Sequence, residues 1–569
     1  MIKFISKAWP NKNLVKNNIY LILIVVLSLP AVWALFHKGF YGASDDIHIA
    51  WLFEMDKIIR LGQIPPRFVP DLSFGFGYPL FNFVFPLPFY LGEIFHLFSF
   101  SFVDAIKIVF GLSLLGSAVT MYFFLKEVLS RELAAAGAIL YLYTPYRSTD
   151  VYIRGAFGEA LSFVFLPLVL LAAVKIYKGF SDKKIDPGKI SFFSLSLSAL
   201  ILTHNIVSYM FFPFLLMLLL LLILTTRNKK MWLSINYGLG ILGALLISLY
   251  FWLPAITESS LMKYETVFNF VDHFPTLKQL FTPYFGYGAS VPGPYDGMSF
   301  FIGLMNLAVV AAGTILGIFL WRKFKALEGV IFIWGIMAFS VSMFMMNFRS
   351  SFLWSNVPLL PYFQFPWRFL TMITLSSVIF LIPLNYLKGF WKYILVGGLS
   401  LLAIILNAEY FKPHDFLERG DEYYINRYIP VPQASKEYLE TGEEYLRLPN
   451  ETEVRPDKNY PVIFSDNKFG HSVKETNGVY SKINIEAPDD MILNHNKYYF
   501  PGWVGKVDGN DLKLSAGKPF GQISFEVTKG SHLVEIYYKE PNSKIILNLI
   551  SLSSFTLFLI LALKYNNKK

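Results

Sequence analysis

Long apolar runs separated by short charged loops dominate the chain. Runs occur at 19–36, 104–125, 133–145, 157–175, 191–204, 206–225, 232–252, 298–320, 329–347, 369–387, 392–408 and 545–563. A helix needs roughly twenty apolar residues to cross a bilayer, so the pattern predicts about twelve spans, with 133–145 the shortest. The run Phe81–Phe98 is also long but carries Pro86 and Pro88, and reads as a re-entrant or interfacial helix. Just before it, Ile47, Ala50, Trp51, Ile58 and Leu61 recur at near-helical spacing, with Lys57 and Arg60 off the stripe. That predicts an amphipathic helix lying along the membrane surface, ended by Leu61-Gly62 and barred from continuing by Pro65-Pro66.

From about Glu409 to Pro541 the apolar runs shorten and alternate: Val479–Ile485, Leu512–Leu514, Gly521–Val527 and His532–Tyr538. Turn pairs at Asp508-Gly509 and Lys529-Gly530 make this a β-rich, sandwich-like domain. The expected organisation is a helical polytopic membrane domain over 1–408, a β-rich domain over 409–543, and a last span with a basic tail over 544–569.

Composition agrees with the pattern. Of 569 residues, 54% are hydrophobic and 18% aromatic, and the mean hydropathy is +0.46. No soluble domain carries that much Phe and Leu. The net charge is +10, and its placement sets a topology. Lys3, Lys7, Lys12 and Lys16 precede the first run, and basic residues gather at 175–189, 227–230, 322–325, 388–392 and 564–569. The positive-inside rule places these in the cytoplasm, with both termini, and puts 37–103, 146–156, 255–297, 348–368 and the β-rich domain outside the cell membrane. The first run lacks a cleavage site and reads as a retained span. No basic stripe with interleaved aromatics argues for nucleic acid. The absence of cysteine excludes disulfides and thiolate metal sites.

Chemistry collects on the outer side. Asp45 and Asp46 form an acidic pair in Gly42-Ala43-Ser44-Asp45-Asp46-Ile47-His48, at the mouth of the first span. Ser44 or Asp45 is also a candidate helix cap. Arg147, Asp150, Arg154 and Glu159 form a second group, readable as substrate ligands or as snorkelling arginines with local ion pairs. Loop 255–297 carries Glu258, Lys263, Glu265, Asp272 and His273. His204-Asn205 occupies a tight turn, and Gln364-Phe365-Pro366-Trp367-Arg368 ends in an arginine that is either an interfacial anchor or a phosphate ligand. Ionisable residues at membrane depth are costly and mark sites or pathways. Here they sit on one rim, which favours an outward-facing site over a transmembrane relay. No His-Glu-x-x-His, P-loop or nucleophile elbow is present, and the nine histidines form no close pair.

Such a rim suits a lipid-linked substrate. With a sugar on a polyprenyl phosphate as donor, one Asp serves as base toward an acceptor hydroxyl, and arginines hold the phosphate. Neighbours on a helix cannot point the same way. One of Asp45 and Asp46 is then the base while the other caps the helix or binds a metal, and the residues leave the choice open. The residues name no certain cofactor; a divalent cation, Mg or Mn, would sit on Asp45 or Asp46.

The organisation resembles that of GT-C glycosyltransferases, on Asp45-Asp46, Tyr78-Pro79-Leu80 through Pro88-Phe89-Tyr90, and Arg147…Asp150. Tyr152-Ile153-Arg154-Gly155-Ala156-Phe157-Gly158-Glu159, Thr203-His204-Asn205 and Gln364-Phe365-Pro366-Trp367-Arg368 resemble the bacterial membrane proteins related to 6-pyruvoyl-tetrahydropterin synthase. Tyr498-Tyr499-Phe500-Pro501-Gly502-Trp503, with Asp508-Gly509 and Gly530-Ser531-His532, looks like the outer β domain of YfhO-type proteins. Nothing matches a soluble pterin synthase. The kinship implies an inverting transferase using a polyprenyl-phosphate sugar and a cell-envelope glycan, lipid or protein acceptor. In it Asp45 or Asp46 is catalytic, and His48, Arg147, Asp150, Arg154, Glu159, His204, Gln364, Trp367 and Arg368 line the substrate. The alternatives are a flippase of lipid-linked saccharides, or a non-catalytic membrane scaffold that binds glycans.

Overall fold

The computed structural model of the chain describes residues 12–179, 185–226, 229–263, 269–387, 389–429 and 448–566. Lys3, Lys7, Lys183, Lys184 and Glu265, and parts of the basic loops at 227–230, 388–392 and 564–569, lie outside the described residues. The helices used below are α1 (Lys12–Val32), α2 (His48–Arg60), α3 (Leu87–Leu97), α4 (Phe102–Leu125), α5 (Arg131–Leu142), α6 (Phe157–Lys178), α7 (Pro187–Thr203), α8 (Asn205–Thr225), α9 (Lys230–Ile247) and α10 (Leu249–Thr257). They continue with α11 (Leu304–Leu320), α12 (Ala326–Met345), α13 (Leu370–Ser377), α14 (Phe390–Asn407), α15 (Asp421–Tyr428) and α16 (Asn542–Asn566).

Among the described residues, ten helices are long and apolar enough to cross a membrane, rather than about twelve. The shortfall has local causes. α5 has 12 residues and α7 has 17, both too short for the full hydrocarbon thickness on their own. The run expected over 232–252 still supplies a spanning helix, α9, and divides at Ser248, where α10 begins and soon meets Pro254. The Phe81–Phe98 run forms a four-residue helix, Leu80–Phe83, then α3, broken at the extended Val84, two residues before Pro86. Neither piece is long enough to cross.

The helix expected on the membrane surface is instead enclosed by protein. In α2 every residue from His48 to Met55 except Phe53 is buried. It packs against α3, α4 and α15, so its apolar stripe meets core. The expected cap is also absent: Ile47 occupies the N-cap and no side chain caps the helix, because Ser44 and Asp45 turn away toward another loop.

The inter-span regions at one end of the bundle meet each other. Opposite, Glu127 pairs with Lys178 at 2.7 Å and Tyr20 donates to Glu132 at 3.0 Å. Segment 411–429, grouped by composition with the β-rich region, packs on the first inter-span region. There β2 (Phe416–Arg419) pairs antiparallel with β1 (Phe40–Tyr41).

Beyond it two antiparallel sheets face each other. One runs in the order β3 (Ile463–Phe464), β6 (Met491–Tyr498), β10 (Gln522–Val527), β9 (Ser515–Ala516). The other runs β4 (Gly470–Thr476), β5 (Tyr480–Ala487), β11 (Gly530–Tyr538), β7 (Trp503–Val507), β8 (Asn510–Leu512). Ile483, Ile485, Val534 and Ile536 from one face Leu493, Ile523 and Phe525 from the other in a core separate from that of the bundle. This is a β-sandwich.

Candidate active site at the first inter-span region

The site begins where two loops are spliced. After β1, Ser44 N–H donates to Ile153 O at 3.0 Å and Asp45 N–H to Arg154 O at 2.7 Å. The receiving chain is a π-helical turn, Thr149–Arg154, ended by Gly155 at φ +67°. A Cβ on Gly155 would stand 3.0 Å from Ala43 Cβ. Left-handed backbone and close approach together require glycine here.

The turn sets Asp150 and Arg154 on one face, 2.6 Å apart. Arg154 also reaches Glu159, at the start of α6, at 2.7 Å. Glu159 is the hub. Fully buried, it accepts from Tyr146 at 2.6 Å and Thr371 at 2.9 Å, and Arg368 lies 3.9 Å away. Burying a carboxylate is tolerable only with such saturation.

Trp367 supports the arginines. Arg154 lies over its ring at 4.9 Å, and the ring stacks on Phe365 and Phe300 at 4.8 and 5.5 Å. Arg368 lies over Phe365 at 5.4 Å and donates to Phe363 O at 2.7 Å. The Trp367 indole donates to Ser290 Oγ at 3.1 Å. That hydroxyl donates in turn to Asp296 at 2.8 Å and receives His273 Nδ1 at 2.9 Å, so loop 269–297 forms one wall.

The two members of the acidic pair differ in their contacts. Asp46 is 6% exposed, held by Tyr428 Oη and, at 3.3 Å, by Arg427 Nη1. Burial raises its carboxyl above the ordinary range, while Tyr428 and Arg427 pull the other way. Asp45 is half-buried, and no hydrogen bond or ion pair from a described residue reaches its carboxylate. Its charge acts on Arg154, Arg368 and Asp150.

The remaining candidates divide. His48 sits in an aromatic cage with Trp51, Phe157 and Phe89 at 5.2, 5.7 and 5.8 Å. His204 stacks on Phe85 at 4.9 Å and its Nδ1 accepts from Val207 N–H at 3.1 Å, capping α8 with a neutral ring. The two rings are joined through Phe85 and Phe89. Arg147 does not snorkel. It is fully buried, lies over Phe163 at 3.9 Å and donates to Ser117 Oγ at 3.1 Å, inside the bundle between α4 and α6. Gln364 turns the chain at φ +65° just before Phe365.

Tyr146, Thr371, Ser290, Arg427 and Tyr428 complete the arrangement without having been singled out. Tyr146 adjoins Arg147 and was findable. Tyr428 lies 382 positions from Asp46 and left no local signal.

A bound Mg or Mn asks for several oxygen ligands. Asp46 is already engaged, and among the described residues no group of three His, Asp or Glu stands together. Among the described residues the donor set does not fit a resident cation.

A sequence profile for the 6-pyruvoyl-tetrahydropterin synthase related domain, membrane protein, matches residues 81–411. The chain belongs to this membrane-protein family. Its matched segment runs from the first inter-span region to the edge of β2, covering Arg147, Asp150, Arg154, Glu159, His204 and Arg368, and stopping short of the sandwich. Asp45 and Asp46 precede it. No curated protein matches. Among solved structures, the chain is similar to the arabinofuranosyltransferase AftD from Mycobacteria (13% identity, TM-score 0.45, 71% of this chain and 29% of that one). It is similar to the oligosaccharyltransferase AglB from Archaeoglobus fulgidus (13%, 0.43, 79% and 62%). It is also similar to the arabinosyltransferase EmbB from Mycobacterium smegmatis (10%, 0.36, 94% and 64%). The chain spans less than two thirds of the length of each.

Proposed function

We propose that this membrane protein is a GT-C-type glycosyltransferase, moving a sugar from a polyprenyl-phosphate donor to a cell-envelope acceptor on the outer side of the cytoplasmic membrane. The observation that carries the reading is Asp45. It is a half-exposed carboxylate with no bonded partner among the described residues, facing two guanidiniums that share one buried glutamate. A base must be free to take a proton, and Asp45 is free where Asp46 is not. Arg154 and Arg368 hold planar donors suited to phosphate oxygens, fixed in place by Glu159 and by Trp367 and Phe365. As the acceptor oxygen attacks the anomeric carbon, its proton passes to Asp45. The bond to phosphate breaks, and the departing phosphate charge lies against the arginines. Attack opposite the leaving group inverts the sugar.

The test is transfer by reconstituted protein offered a panel of polyprenyl-phosphate sugars and an envelope acceptor extract. Transfer that disappears in Asp45→Asn supports the reading. Transfer equally fast in that variant removes the assigned base. Absence of transfer with every donor, together with lipid-linked sugar crossing a liposome bilayer, would make the protein a flippase.

A further inference from the structure

We propose that α15 is the positioning element of this site: Arg427 and Tyr428 hold Asp46 so that Asp45, its neighbour, is presented to the substrate. The inference rests on the reading of Asp45 as the reacting carboxylate, and divides the acidic pair into one residue that holds and one that reacts.

Four contacts bring segment 415–428 to this task. Gly42 N–H donates to Asp415 O at 3.2 Å, and β2 pairs with β1 through Phe40 with Arg419 and Tyr41 with Phe416. Asp421 accepts from the N–H groups of Phe102 and Val103 at 2.9 and 2.8 Å, so a side chain from this distant segment satisfies the first free donors of α4. Tyr424, fully buried, meets Phe40 edge-on at 5.7 Å. Tyr428 and Arg427 then close on Asp46. Residues 42–46 are thus fixed from both sides. Ile153 and Arg154 take the amides of Ser44 and Asp45, and α15 takes the carboxylate that follows.

The clasp is strong in geometry yet open to water on one flank, since the Arg427 side chain is 37% exposed. The titratable and charged groups around Asp46 are Arg427 and the Tyr428 phenol on α15, Arg419 on β2, and Asp45 beside it. Without Arg427 and Tyr428, Asp46 would be a buried carboxylate with no partner of opposite charge in contact. It would swing outward for water and carry the Asp45 backbone with it.

The natural chain has no cysteine, so Ala43→Cys gives a single reporter thiol at the packed contact with Gly155. In the full-length, nanodisc-reconstituted protein, maleimide should label this thiol slowly. Tyr428→Phe combined with Arg427→Gln should speed labelling about tenfold by loosening the loop. In the otherwise natural chain, Tyr428→Phe should lower kcat about ten- to a hundredfold with KM for the donor little changed, as expected of a misplaced group. Arg427→Lys, which keeps the charge, should retain more activity than Arg427→Gln. An unchanged labelling rate overturns the clasp whatever the activity. Faster labelling with unchanged kcat overturns the positioning role. Faster labelling in a protein whose unmodified form transfers nothing keeps the clasp and removes the transferase reading. Asp46→Asn, which keeps the shape of the side chain but removes its charge, should reproduce the kcat loss. Full activity in that variant would also overturn the proposal.

Discussion

At the scale of single residues, the site depends on how one buried carboxylate is shared. Glu159 receives Tyr146, Thr371 and Arg154, and Arg368 stands close. Replacing it with Gln keeps the volume but leaves two guanidiniums without their common counter-charge. Breaking a buried pair in this way costs about 3–5 kcal/mol. Glu159→Gln should therefore lower the thermal midpoint in detergent as well as abolish transfer, whereas Asp45→Asn should leave the stability within about 0.5 kcal/mol of the unmodified protein. Transfer in Asp45→Asn should fall about 10²- to 10⁴-fold, the range supplied by a positioned base. Gly155→Ala should fail in a third way. The left-handed residue costs about 1–2 kcal/mol, and the added carbon presses on Ala43, so both stability and transfer should drop.

At the scale of elements, the motifs were legible where chemistry is local. Asp45-Asp46, the Arg154-to-Glu159 stretch and the Trp367-Arg368 pair stand out against an apolar background, because charges at membrane depth need a reason to be there. Helix existence was legible for the same cause. Helix fate was not. The stripe of α2 is equally compatible with a lipid surface and with a protein core, and only α3, α4 and α15 closing over it decide the matter. The packing of segment 411–429 is not legible, because strand pairing with β1 and capping of α4 are contacts across hundreds of residues. The packing of α2 on α3 carries its own prediction. Glu93 on α3 lies against Asp56 on α2, with Arg60 and His96 nearby. Burial, and then the Asp56 charge, push its carboxyl from 4.5 to about 7. Between those values the folded chain holds a proton that the unfolded chain has released. The stabilisation is therefore complete below about pH 4.5 and lost as pH rises through about 7. After allowance for solvent screening it amounts to about 1–2 kcal/mol. Glu93→Gln should flatten this slope, measured as thermal midpoint against pH.

At the scale of the whole molecule, the β-sandwich is tied to the first inter-span region rather than to the helices that precede it. Tyr498 N–H donates to Phe76 O at 2.9 Å, and its phenol meets Ser73 at 2.8 Å. Lys497, buried beside it, donates to the carbonyls of Pro70 and Gly75. A second tie runs through Arg67, which is 1% exposed and reaches Glu540 at 3.0 Å and Asn548 at 3.0 Å, anchoring the strand-to-α16 exit. The same region that carries Asp45 thus also seats the sandwich. Lys497 makes the seat measurable. Burial, against the attraction of Asp71, lowers its ammonium from 10.5 to about 8. Between pH 8 and 10.5 the unfolded chain keeps a proton that the folded chain has given up. Stability from this group therefore rises with pH across that window and is flat below it. A drop of this size corresponds to about 3 kcal/mol. Hydrogen exchange at residues 70–78 should slow from pH 8 to 10 once corrected for the intrinsic rate. In Lys497→Met that trend should vanish while β5 and β11 stay protected, because their core does not include the lysine. Loss of protection throughout the sandwich in the same variant would mean that Lys497 holds the domain together rather than seating it.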